Sequence, residues 1–372
     1  DEVIRLLSQL HSVDALQSDV MPDTSELVKR SKKRREAKRL QNLRSPLFVR
    51  FHILDPERFL HRFQWLARPF FSWFGAVIWL AAVGFAAFLA ALHWPELTEN
   101  ITDRILAPSN LVILWLTFPI LKAFHEFGHG FAVKTKGGEV HDMGIMLLVF
   151  TPIPYVDASS SSAFREKRER VVVGAAGMAI ELFLAAIAMM VWVSAEPGPV
   201  RSVAYNVIFI AGVSSILFNG NPLLRYDAYY ILSDLIEVPN LGSRGIRYIV
   251  YLLQRYLLGI KDAEEPMASR GEKTWFIVYS IAAFCYRMFI YAAIVLFVAS
   301  KFFFIGVFFA CWALINMFVW PAIKIVRFLA SSPKVRRGRF RAVGATVAVT
   351  AGIVALVTLV PVPLSTVTDG VV

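Results

Sequence analysis

Cysteine is nearly absent. Only Cys285 and Cys311 occur, each inside an apolar run. That excludes a disulfide framework and any CxxC motif, and both read as buried packing residues. Charge is scarce as well: 18% of residues are charged, where a soluble domain carries about a quarter. Acidic residues are the minority, 28 against 39 Lys and Arg, which leaves a net charge of +11. The start of the chain lacks a basic segment followed by an apolar core, so no cleavable signal peptide is read there. It opens at Asp1 in DEVIRLLSQLHSVDALQSDV, inside what reads as a helix, and residues upstream are expected.

What is present is apolar sequence in long runs. Hydrophobic residues make up 56% of the chain, with 30 Phe. The runs reach about 20 residues, enough to cross a hydrocarbon core about 30 Å thick. They predict an all-α polytopic membrane protein with seven transmembrane helices, near 70–92, 109–133, 170–194, 203–235, 274–299, 302–328 and 342–361. The fourth is interrupted by Asn219, Gly220, Asn221 and Pro222. MGIMLLVF (143–150), followed by Pro152 and Pro154, is too short to span. It reads as a small re-entrant β hairpin, whose edge would suit an unwound peptide, or as a packed connector.

The basic residues cluster between the runs, which is the pattern of cytoplasmic loops and not of a nucleic-acid surface. KRSKKRREAKRLQNLR (29–44) precedes the first run and places the N-terminus in the cytoplasm. That stretch also suits anionic headgroups of the lipid bilayer. The loops at 134–170, 236–273 and 331–341 are basic; those at 93–104, 195–201 and near Lys301 are not. The alternation puts the C-terminus outside the membrane.

The motif that carries chemistry is HEFGH: His125, Glu126, Phe127, Gly128 and His129. On a helix, positions i and i+4 share a face, so both imidazoles can ligate one Zn²⁺. Glu126 beside them suits a general base. The motif sits inside an apolar run, where His and Glu are costly to bury. A catalytic zinc takes a third protein ligand, and Asp227 in FNGNPLLRYDAYYILSD (218–234) is the leading candidate. Counted from the span ends, it falls on the cytoplasmic side, as the histidines do. Glu181 competes as a ligand or as the partner of an arginine. Asp157 suits a groove on the cytoplasmic side, Asn221 an oxyanion donor, and His141 a solvated loop.

These segments resemble the site-2 protease family of intramembrane zinc metalloproteases. HEFGHG (125–130) is similar to the family's HExxH helix, and GGEVHDMGIMLLVFTPIPYVD (137–157) to the region after it. NPLLRYDAYY (221–230) resembles the family's Asn-Pro…Asp-Gly motif, with Ala228 where the family has Gly. VVGAAGMAIELFLAAIAMMVW (172–192) resembles its small-residue helix. The resemblance implies that His125, His129 and Asp227 are zinc ligands and that Glu126 is the base. It covers about 65–235 well and the later spans weakly.

The ends carry a second likeness. VPVPLSTVTDGVV (360–372) is similar to the entry into the β-domain of a haemolysin-D-type adaptor. The N-terminal helix and PLFVRFHILDPERFLHR resemble "peptide zinc metalloprotease" proteins fused to such adaptors. The implied organisation is a cytoplasmic segment (1–64), a metalloprotease core (65–235), a cytoplasmic loop (236–273), further membrane helices (274–361) and the start of an extracytoplasmic segment (362–372). The expected activity is zinc-dependent cleavage of a membrane protein or peptide, in a bacterial inner membrane. The alternative is the anchor of a peptide-export system with outer-membrane partners. A non-catalytic zinc scaffold fits less well, since it has no use for Glu126.

Overall fold

The computed structural model describes residues 48–148, 151–260, 263–301, 307–308, 311–313, 315–331 and 339–359. Helix dominates. In chain order the elements begin with strand β1 (Phe48–Leu54), α1 (Glu57–Ala67), α2 (Trp73–Leu92), α3 (Trp94–Thr98), α4 (Ile101–Leu106) and α5 (Pro108–Thr135). Strands β2 (Met143–Leu148) and β3 (Thr151–Val156) follow, then α6 (Lys167–Ser194) and α7 (Pro199–Ala211). A π-helical segment (Gly212–Asn219) continues α7. Then come α8 (Asp227–Leu235), α9 (Leu241–Leu252), α10 (Arg270–Lys301), α11 (Trp320–Ser331) and α12 (Arg339–Leu359). Five helices among the described residues are long and apolar enough to cross a bilayer: α2, α5, α6, α7 with its π-helical continuation, and α10. The expected span at 302–328 lies partly outside the described residues, and 342–361 overlaps α12.

Two compact units divide the chain, one holding 48–76 with 100–160, the other the described residues of 77–99 and 161–359. In the first unit, β1, β2 and β3 form an antiparallel sheet in that order. The third strand, β1, is more than the expected hairpin. Its apolar alternation at Val49, Phe51 and Ile53 is the signal that marks it. Register matters on β3. Pro152 and Pro154 pair with Leu147 and Ile145. A proline cannot exchange both ladder bonds, so Thr151, Ile153 and Tyr155 bond to β2 while both prolines turn to the outer edge. That edge therefore lacks two of its N–H donors. Gly144 on β2 is held to glycine by space, because a Cβ there would lie 2.0 Å from the Phe51 carbonyl oxygen.

Helix α1 packs across the end of α5. Leu60 is fully buried and sits against Gly130, where a Cβ would come within 3.2 Å of its Cδ1. Phe59 stacks toward Phe127 and Phe131, with ring centroids 5.6 and 6.2 Å away. Helix α5 stops where the sequence offers glycine. Gly137 takes φ +83°, and the Gly138 N–H bonds back to the Val133 carbonyl at 3.0 Å, a glycine stop of the Schellman kind.

The second unit is held by close helix packing. Trp79 donates its indole N–H to the Ala179 carbonyl at 2.7 Å, and Tyr205 donates its hydroxyl to the Leu97 carbonyl at 3.0 Å. Gly174 lets α8 lie against α6, since a Cβ there would meet Ile231 Cγ1 at 2.9 Å. Cys285 and Cys311 are free and exposed, not buried as expected. Both stand in apolar helical sequence, so an outward position suits a lipid-facing surface and not a core.

Candidate metal centre

The HEFGH residues all lie on α5 within the first unit. Pro119 interrupts the hydrogen-bond ladder six residues before His125, yet the helix continues through it, 28 residues in all. The i, i+4 spacing does what helical geometry requires: the Nε2 atoms of His125 and His129 are 3.1 Å apart, and both side chains are buried. Two zinc–nitrogen bonds of about 2.0–2.1 Å in a tetrahedron set their nitrogens about 3.3 Å apart. The pair therefore fits a shared zinc without a change of rotamer.

Glu126 is oriented by the sheet. Its Oε2 accepts the Val156 N–H of β3 at 2.9 Å. With Pro152 and Pro154 on the same edge, Val156 supplies the donor that those prolines lack. The carboxylate is thus tied to a backbone amide, and such a bond fixes its direction more firmly than a mobile side chain would.

A second arrangement, unread in the sequence, fastens the end of the same helix. Lys134 forms an ion pair with Glu57 of α1, and both side chains are largely buried. The other Glu57 oxygen accepts the Val140 N–H at 3.0 Å, and Gln64 donates to the Lys134 carbonyl at 2.8 Å. Burial pushes the Glu57 carboxyl up, but the Lys134 ammonium and the Val140 amide outweigh it and hold the pKa below the ordinary 4.5. Only the lone charges Glu57 and Lys134, 77 residues apart, signal this in the sequence.

His141 is in a solvent-exposed loop, as expected, and is also paired. It faces Asp55 at 3.1 Å and Glu139 at 3.2 Å. Those two carboxylates, Asp55 first, raise the imidazole above its ordinary 6.5. Asp157 caps its own turn by accepting the Ser159 N–H at 3.0 Å.

The remaining candidates belong to the second unit. The expected fourth span, 203–235, is two elements. Helix α7 and its π-helical continuation end at Asn219, and α8 starts afresh at Asp227. The reason is local. The Gly220 N–H reaches back to the Ser215 carbonyl at 2.7 Å, the wide spacing of a π turn. Pro222 then has no N–H to offer, and Asn221 Oδ1 takes the Leu223 N–H at 2.8 Å in an Asx turn. With Oδ1 so engaged, the donating part of Asn221 is its amide nitrogen. Asp227 is half-buried in the first turn of α8, where the helix dipole favours a carboxylate. Glu181 is fully buried on α6 and accepts the Ser215 hydroxyl of the π segment.

The structure thus brings His125, His129 and Glu126 onto one stretch of helix in the first unit, and sets Asn221 and Asp227 at a helix break in the second. No protein-family model matches the chain, and no curated protein or solved structure matches it either.

Proposed function

We propose that this chain is an intramembrane zinc metalloendopeptidase of the site-2 protease type, with His125, His129 and Asp227 as metal ligands. The observation that carries the reading is the buried histidine pair, with Nε2 atoms at a zinc-sharing distance and Glu126 between them in sequence. The resemblance of NPLLRYD (221–227) to the family's third-ligand motif supports Asp227. The fold in this reading has seven spans, the five described together with 302–328 and 342–361. Its N-terminus is cytoplasmic and its C-terminus outside, in a bacterial inner membrane.

Bound zinc supplies a Lewis acid for a peptide carbonyl and lowers the pKa of a coordinated water to about 7. Glu126 takes the water's proton on its carboxylate and returns it to the leaving amine. The Val156 N–H keeps that carboxylate oriented throughout. Asn221 donates from its amide nitrogen to the developing oxyanion. The break from Gly220 to Pro222 makes the backbone irregular, which within a membrane is tolerated only beside protein or water. Hydrolysis needs that water. Substrates are membrane proteins or peptides that can unwind, because a helix hides its scissile carbonyls in hydrogen bonds.

The test is zinc per chain in detergent-purified protein. About one zinc is expected in the wild type and in Glu126→Gln, with loss in His125→Ala, His129→Ala and Asp227→Ala. A wild type without zinc, purified free of chelator, overturns the reading and favours a transport scaffold. Retention in Asp227→Ala alone removes that ligand and reopens Glu181.

A further inference from the structure

Helix α9 lies in the basic segment before α10 and carries two apolar faces. Leu241, Gly245, Tyr248 and Leu252 recur at helical spacing and turn toward the core around Tyr229 and Phe276. Gly245 permits a close crossing of α10, since a Cβ there would lie 2.4 Å from Ser280 Oγ. Arg244 fixes the crossing by donating to Glu272 at 2.7 Å. The crossing therefore falls on Glu272, Phe276 and Ser280, in the opening turns of a helix long and apolar enough to span a bilayer.

Among the described residues the second face has no such cover. Ile246 and Val250 are 46% and 44% exposed, and Leu253 and Tyr256, in the π-helical segment (Leu253–Leu257) that continues α9, are 47% and 71% exposed. At 100° per residue this stripe centres about 130° from the buried one. Beyond it, on the side toward Arg244, stand Ser243 and Arg247, both exposed. Arg247 is exposed and has no ion-pair partner among the described residues. A core-facing helix needs an apolar stripe of about 100°, and α9 carries about twice that. The excess adjoins a membrane span and is bordered by a cation. That is the pattern of a helix lying in a bilayer interface, apolar side toward the acyl chains and basic side toward headgroups.

We propose that α9 is such an interfacial helix: it buries Ile246, Val250 and Leu253 at the acyl–headgroup boundary and holds anionic lipid headgroups with Arg247. The inference rests on the membrane reading and is independent of the metal.

Nitroxide labels test it in the full chain, reconstituted in nanodiscs on a Cys285→Ser, Cys311→Ser background. Single labels go on Ile246→Cys, Val250→Cys, Leu253→Cys and, for the polar side, Ser243→Cys. At the first three, collisions with oxygen are expected to be frequent and collisions with a water-soluble nickel chelate rare. Ser243 should show the reverse. Replacing part of the phosphatidylcholine by phosphatidylglycerol should lower nickel access at Val250 by roughly fivefold, the effect of one basic residue near a charged surface. Arg247→Gln should abolish that change. Frequent nickel collisions along the stripe would overturn the proposal by showing it in water. Shielding from both reagents would overturn it by showing a protein partner. A phosphatidylglycerol response that survives Arg247→Gln would overturn the headgroup contact.

Discussion

The two units hold their polar residues in opposite ways. In the first, His125, Glu126 and His129 depend on continuity. One helix of 28 residues carries them, fixed by Leu60 beneath Gly130, by the Glu57–Lys134 pair at its end and by the β3 amide at its middle. In the second, Asn221 and Asp227 depend on interruption. A π turn, a glycine and a proline stop one helix, and an Asx turn leads into the next. A rigid helix suits ligands that share one metal, because their separation follows from the backbone alone. A break suits a residue that must donate from irregular backbone, where water can enter. In the proposed reading, one chemistry draws on a regular and an irregular stretch of the chain.

The contrast can be broken first at the base. Glu126→Gln keeps the shape and the Val156 bond but cannot accept a proton. Turnover of a membrane peptide should fall by about 10²–10⁴-fold with zinc unchanged; a smaller fall would remove Glu126 as base. At the break, Asn221→Asp is the sharper of two variants. Aspartate can still accept the Leu223 N–H and keep the turn, but it has no amide to donate. It should lose about 10²–10³-fold in turnover, as Asn221→Ala should. Unchanged turnover in both would leave Asn221 a turn residue only.

Stability separates the units further. Leu60→Ala opens a cavity under the helix that carries the histidine pair and should cost about 2–5 kcal/mol in denaturant unfolding. Ser215→Ala, which removes a hydroxyl from Glu181, should cost about 1–3 kcal/mol. Equal costs would mean that the broken helix is held as rigidly as the continuous one. The smallest effect concerns acid. Because Glu57 is held below its ordinary 4.5, its contribution is complete above that pH and is lost as the pH falls through the lowered value. Unfolding of the wild type followed below pH 4.5 should show that loss, and Lys134→Met should flatten it.

The sequence made the chemistry easier to see than its support. HEFGH was legible because helical periodicity and ligand chemistry coincide in five adjacent residues. The break at 219–222 is legible because Gly, Asn and Pro act locally, although the apolar run predicts one span through 203–235 and not a new helix starting at Asp227. The Glu57–Lys134 pair was not legible, because its partners are 77 residues apart and each alone looks like an ordinary surface charge. Strand β1 is hard to see because it lies in a segment whose basic residues dominate its character. An apolar side chain predicts an inside position for both cysteines, a rule drawn from proteins in water; both are exposed on apolar helical sequence.

Strand β3 has a consequence for the life of the chain before and after folding. An uncovered strand edge invites other chains to pair with it, and proteins blunt such edges to stay unaggregated. Here Pro152 and Pro154 make the edge deaf to any strand that seeks donors, and Glu126 occupies the donor at Val156. A stray polypeptide can find carbonyls along this border but not the alternating partners that would zip it into a growing sheet. The same two prolines leave a single amide on this edge, Val156, and it serves the carboxylate of the candidate site.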